Sequence, residues 1–228
     1  EKKIQDIKPW IEKMEKEYPW QRLMLTEYGA DANIEHQTEL LGDALNWDSD
    51  FYPETFQTKT HEYQWGVISQ HPYILASYLW NMFDFAVPQW KRGGVDARNM
   101  KGLITFDRKI RKDAFYWYKA NWSKEPVLYL TQRRNTERER RETSVTVYSN
   151  LGTPRVFLNG RELDGVRKGY TDVHYIFDQV TLAEGRNVLR AVIVSDGKEY
   201  TDEIVWNYNG EHVRQADAYE HKKEHAGW

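Results

Sequence analysis

The sequence contains no cysteine, which excludes disulfides and thiolate metal sites but leaves the redox compartment open. It also lacks an excess of either charge: 32 Lys and Arg stand against 35 Asp and Glu, a net of −3. So balanced a chain has no electrostatic footprint for nucleic acid or for an anionic membrane surface. Long apolar runs are missing too. The longest, from Tyr73 to Ala86, is short for a membrane span and is interrupted by Asn81 and Asp84. No run of His, Asp and Glu has recognisable metal-ligand spacing, so neither metal nor cofactor is expected.

What the chain does have is core-forming material. Forty per cent of its 228 residues are hydrophobic and ten are Trp, enough for one barrel or two ordinary domains. It opens on Glu1 with a segment that reads as the middle of a fold, and a C-terminal fragment is the expectation. An export signal on missing upstream sequence would make the protein periplasmic or secreted.

Ile4, Ile7, Trp10, Ile11 and Met14 recur at helical spacing, predicting a helix from Gln5 to Glu17 that Pro19 ends. A short buried strand follows at Arg22 to Tyr28, then a long segment from Gly29 to Glu54. The helical pattern resumes from Thr55 to Gln70 and Pro72 closes it. Tyr73 to Phe83 reads as the next strand, Val87 to Asn99 as a polar loop, and Ala114 to Asn121 as a helix capped by Asp113. This is the rhythm of βα units in a parallel sheet or barrel.

The pattern changes at Ser123-Lys124-Glu125-Pro126. Short alternating runs follow: Val127 to Thr131, Ser144 to Tyr148, Arg155 to Leu158, Val173 to Phe177, Asn187 to Val194 and Glu199 to Trp206. Asn159-Gly160 and Asp196-Gly197 are tight-hairpin signals. Residues 123–208 therefore read as an immunoglobulin-like β-sandwich. The polar tail, 209–228, is expected to be loosely ordered. Arg133 to Arg141, rich in both signs, reads as a solvated hairpin loop.

Glu27 is the residue that points to chemistry. The apolar run Leu23-Met24-Leu25 leads into Thr26-Glu27-Tyr28-Gly29, so a carboxylate sits at the C-terminal end of a predicted strand. In a parallel α/β barrel those ends form the active site. A buried salt bridge is the alternative for this residue. Tyr28, Trp47, Trp65, Tyr78, Trp80, Phe83, Phe85 and Trp90 surround it in sequence and favour a sugar. Pyranose rings offer flat C–H faces to aromatic rings, while their hydroxyls need partners such as Asn81, Asp84 and Asn99. Carboxylate with aromatics is the equipment of glycosidic cleavage. Buried Trp and Tyr also serve simply as core.

Three ordered motifs carry a family resemblance: Thr26-Glu27-Tyr28-Gly29-Ala30-Asp31, Tyr78-Leu79-Trp80-Asn81-Met82-Phe83-Asp84-Phe85, and Asn99-Met100-Lys101-Gly102-Leu103-Ile104-Thr105-Phe106-Asp107-Arg108-Lys109. They resemble the C-terminal part of the catalytic barrel in glycoside hydrolase family 2, the β-galactosidases and β-glucuronidases. Lys112-Asp113-Ala114-Phe115-Tyr116-Trp117-Tyr118-Lys119-Ala120-Asn121-Trp122 is similar to the β-galactosidase branch from Bacteroidetes.

The resemblance implies residues 1–122 as the end of a (β/α)8 barrel and 123–208 as an accessory sandwich. It implies Glu27 as nucleophile of a retaining, exo-acting β-glycosidase and Trp80 as the floor of the sugar subsite. Tyr28, Asp84, Asn99 and Lys101 are expected to contact substrate, and His36 could reach a hydroxyl or equally serve as a hydrogen-bonded loop histidine. Asn99-Met100-Lys101 matches the pattern with which β-glucuronidases grip a uronate, yet galactosidases of this branch carry it as well. For Lys101 alone, a surface lysine is the other reading. The acid/base would lie upstream, so the isolated chain is expected to be inactive and to need the missing N-terminal domains. A carbohydrate-binding module without chemistry, and a sandwich that mediates oligomer contacts, are competing readings.

Overall fold

The computed structural model describes residues 7–41 and 50–210. Trp47, residues before Ile7 and nearly all of the tail after Tyr208 lie outside the described residues. The described residues fold as two compact units: 7–36 with 41 and 50–114, and 37–40 with 115–210.

The first unit begins with α1 (Ile7–Glu17), whose apolar stripe turns Ile11 inward. Ile11 packs with Val67 and Tyr73, flanked by Ile7, Met14, Leu23 and Tyr63. The Tyr73 hydroxyl donates to the carbonyls of Met14 and Tyr18, at 3.1 and 3.3 Å, and so satisfies the C-terminal end of α1. Strand β1 (Leu23–Tyr28), helix α2 (Glu54–Ile68) and strand β2 (Ile74–Leu79) follow. The two strands are parallel, with Leu23 opposite Ile74 and Tyr28 opposite Leu79. This is a βαβ unit. Helix α2 departs from a simple apolar stripe, because Gln57, Thr58, Thr60, His61 and Glu62 are all buried.

Two sequence expectations need correction here. The strand expected over Tyr73 to Phe83 stops at Leu79. Beyond it the backbone changes partner: Asn81 N–H donates to the Lys101 carbonyl, while Leu103 N–H and Ile104 N–H donate to the carbonyls of Asn81 and Met82. The segment expected as a polar loop is an antiparallel hairpin of β3 (Phe85–Arg92) and β4 (Val95–Asn99) turning on Gly93-Gly94. Helix α3 (Asp113–Trp122) ends the series, and the division between the units falls inside it.

The second unit is an immunoglobulin-like sandwich of two four-stranded antiparallel sheets. One orders β5 (Leu128–Leu130), β6 (Glu142–Ser149), β10 (His174–Thr181) and β9 (Val166–Lys168). The other orders β12 (Lys198–Tyr208), β11 (Gly185–Ser195), β7 (Arg155–Leu158) and β8 (Arg161–Glu162). Asn159-Gly160 turns β7 into β8, and Asp196-Gly197 turns β11 into β12, all four residues at positive φ as a type I′ turn demands. Leu130, Val145, Val147, Val156, Tyr175, Phe177, Leu189 and Trp206 interdigitate between the sheets.

The Arg133 to Arg141 segment is not a solvated loop throughout. Arg138 is completely buried, ion-paired with Glu39, and its guanidinium lies 3.9 Å from the centre of the Trp206 ring. Glu39 also accepts from Thr143 and from the backbone N–H groups of Glu139 and Arg140. Glu139 accepts in return from Thr38 and from the Glu39 N–H. A four-residue stretch, Gln37–Leu40, is thus locked into the sandwich by two carboxylates. Removing one partner of such a buried pair costs about 3–5 kcal/mol.

Candidate active site

The C-terminal ends of β1 and β2 are laced together by backbone. Trp80 N–H donates to the Tyr28 carbonyl at 2.9 Å. Gly29 then adopts a φ of 139°, and a Cβ there would lie 2.7 Å from the Trp80 carbonyl oxygen. Only glycine allows that approach. The Trp80–Asn81 peptide bond is cis.

This lacing sets the side chains around a cleft of about 690 Å³. Glu27 is exposed on its wall, beside Tyr28, Trp80 and Lys101, with Gln64 from α2 and Trp10 from α1. Trp80 is 38% exposed and meets Phe85 edge-on at 5.9 Å. Tyr28 is buried, its ring 6.3 Å from that of His61. Among the described residues lining the cleft, Glu27 is the one carboxylate. A groove of about 740 Å³ on the sandwich, lined by Glu142, Thr143, Ser144, Asp178, Gln179 and Thr181, has no aromatic side chain. It offers a sugar no platform.

Lys101 sits in a tightly specified loop. Asn99 is buried, and its side-chain oxygen accepts the Lys101 N–H at 2.9 Å. Asn99 therefore shapes the turn and is not itself on the cleft wall. Asp31 lies near enough to Lys101 and Arg92 for both charges to favour its carboxylate. Burial outweighs them and pushes its pKa up.

Two more residues expected at the site, besides Asn99, are held elsewhere. Asp84 is buried, accepts from the Lys112 ammonium at 2.9 Å, and accepts the Gly102 N–H at 2.9 Å. Its carboxylate serves the interior, not an open wall. His36 is also buried; its Nδ1 accepts the Tyr52 N–H at 3.0 Å and its ring stacks on Phe51 at 5.0 Å. Burial pulls its pKa down to about 4, so the imidazole is neutral. His61, fully buried, is pulled down to about 3 by desolvation, assisted by the Lys112 charge. Of the expected residues, the cleft thus brings together Glu27, Tyr28, Trp80 and Lys101.

Sequence reasoning missed Gln57, Gln64 and Lys112. Gln57 donates to the carbonyls of Ala30 and Gly102, joining the loop after Glu27 to the loop of Lys101. A signal existed: a helix with this many polar residues on its buried side must be spending them on something specific. Among the described residues there is no group of three or more His, Asp and Glu that could hold a metal, and no helix long and apolar enough to cross a membrane.

A putative β-galactosidase from Bacteroides fragilis of known structure is 74% identical, with a TM-score of 0.91 over 94% of this chain and 32% of that one. A β-glucuronidase of Bacteroides fragilis is 37% identical over 202 residues, 87% of this chain and 28% of its own length. The homologues of this chain thus bear the names of β-glucuronidases and β-galactosidases, which are glycoside hydrolases. The structure of an FMN-binding β-glucuronidase from Faecalibacterium prausnitzii matches at 36% identity and a TM-score of 0.77, covering 96% of this chain and 31% of that one. Residues 140–201 match a domain of unknown function, DUF4982, consistent with the C-terminal region of family 2 enzymes. The chain spans about three tenths of the length of these glycoside hydrolase relatives.

Proposed function

We propose that this chain carries the nucleophile half of a retaining, exo-acting β-glycosidase, with terminal β-galactosides as substrate. Glu27 attacks the anomeric carbon from the end of β1, and the aglycone oxygen leaves with a proton from a second carboxylic acid. Water then releases the sugar from the covalent glycosyl-enzyme. The observation that carries this reading is Glu27 exposed in one cleft with Trp80, whose ring can underlie a pyranose. The second carboxyl must stand about 5 Å from the first. Since the described lining of the cleft offers none besides Glu27, we assign the acid to a part of the polypeptide outside these residues.

The open sheet supports a larger barrel around this unit. Parallel sheets are covered on both faces, yet β1 and β2 form a two-stranded sheet in which Met24, Leu75 and Tyr78 are 49%, 70% and 54% exposed. Further strands beside β1 and β2 would cover them. Galactoside is the first choice because the 74% identical relative bears that name. Glucuronide is the second reading, favoured by the Lys101 ammonium on the cleft wall, which can pair with a uronate.

The test is covalent. A 2-fluoro-galactoside or 2-fluoro-glucuronide inactivator should label the full-length polypeptide at Glu27. Glu27→Gln should abolish labelling and lower kcat by at least about a thousandfold, the scale on which loss of a nucleophile acts. Undiminished labelling of that variant would remove Glu27 from the mechanism.

A further inference from the structure

Lys112 is a lysine with no exposed side-chain surface, and its three donors are all used. Its ammonium donates to the Ala32 carbonyl at 2.8 Å, to the Met100 carbonyl at 2.9 Å and to Asp84 Oδ1 at 2.9 Å. The same Asp84 oxygen accepts the Gly102 N–H at 2.9 Å. The two charges therefore grip the residues immediately before and after Lys101. A Cβ on Gly102 would lie 2.1 Å from the Asp84 nitrogen and 2.6 Å from its Oδ1, so that grip also requires the glycine. Lys101 itself is tied at both backbone ends, its N–H to Asn99 and its carbonyl to Asn81 N–H.

Ala32 is the third anchor. It lies five residues after Glu27, and its N–H donates to the Met100 carbonyl at 3.0 Å. One ammonium thus joins the loop leaving the carboxylate strand to the loop bearing the cleft's cation. Burying a charge so deeply is expensive unless every donor is paired and an opposite charge is close. For a merely structural core an apolar side chain of the same length would be cheaper.

We propose that the buried Lys112–Asp84 pair is a positioning device for Lys101, fixing its ammonium on the cleft wall at a set distance from Glu27. Neither member of the pair touches substrate. The proposal deepens the glycosidase reading and rests on it.

A double-mutant cycle in the full-length polypeptide tests it, with kcat, KM and Tm measured on aryl β-galactoside and aryl β-glucuronide. Lys101→Met should raise KM for the preferred substrate by about tenfold, the effect of losing one charge-assisted contact. Lys112→Met should raise KM by a similar factor and leave kcat within about twofold, because groups acting through one contact do not add. Adding Lys112→Met to Lys101→Met should then change KM little. An unchanged KM in either single variant, or a double variant whose effect is the product of the two, overturns the proposal. If Lys112→Met does not fold, Asp84→Asn/Lys112→Met removes both charges together and carries the same expectations. Failure of the glycosidase reading is separate: it shows as full activity in Glu27→Gln, whatever the lysines do.

Discussion

The two units fill their interiors differently. The sandwich closes an apolar core from both sheets, with Val147, Val156, Leu189 and Trp206 at 0–1% exposure. Among the described residues, the first unit has an apolar cluster around Ile11, Val67 and Tyr73, with further buried apolar side chains such as Leu25, Phe51, Leu103 and Ile104. That interior also holds buried Glu54, Gln57, His61, Asp84, Asn99 and Lys112, while Met24, Leu75 and Tyr78 are exposed. Buried polar groups are costly individually but fix loops in one arrangement. The contrast separates a module built for stability from one built to hold backbone in place beside a cleft.

The largest expected effect breaks the sandwich side of this contrast. Trp206→Ala removes the ring that fills the core and underlies Arg138, and should cost about 3–5 kcal/mol in urea unfolding. A loss under about 1 kcal/mol would mean that the core does not rely on that ring.

Acid should strike the other unit. His36 and His61 are neutral in the folded chain, with pKa values lowered to about 4 and about 3 by burial, against 6.5 when free. Between those values and 6.5 the unfolded state binds more protons, so stability falls as pH drops through this window. Each imidazole contributes up to about 1.4 kcal/mol per pH unit. Unfolding midpoints measured from pH 7 to pH 4.5 should decline, and His36→Gln should flatten the decline if it folds. A midpoint independent of pH would show that both rings titrate normally.

The smallest effect sharpens the contrast. Leu75→Ser should change the stability of this 228-residue chain by less than about 0.5 kcal/mol, since the side chain is 70% exposed. If, as proposed, further barrel strands cover this face in a longer polypeptide, the same change there should cost about 2 kcal/mol or more, the scale for a buried leucine. Equal, small effects in both would argue against further barrel strands covering this face.

Local signals made much of the fold legible. Six strands of the sandwich followed from alternation, and two hairpin turns from Asn-Gly and Asp-Gly, while β8 and β9, two and three residues long, are too short to show a pattern. The β3–β4 hairpin was harder to read because Pro88 and a polar composition mask it, although Gly93-Gly94 was a usable turn signal. Glu27, Trp80 and Lys101, which line one cleft, stood out in the sequence because each belongs to a short motif at a strand end or in the loop after one. Arg138 and Lys112 were not, since their partners Glu39 and Asp84 lie 99 and 28 residues away. His36 had two readings, a contact to a sugar hydroxyl or a hydrogen-bonded loop histidine, and its ring nitrogen accepts the Tyr52 N–H as the second expects. Pairings that depend on long-range closure leave no local pattern.

Because Gln37–Leu40 is built into the sandwich, a linear map cut once near residue 115 misrepresents the molecule. The C-terminal piece so produced would be missing the glutamate that neutralises Arg138. Any attempt to express the sandwich as a stand-alone module must graft that tetrapeptide back or replace the orphaned arginine with an apolar side chain.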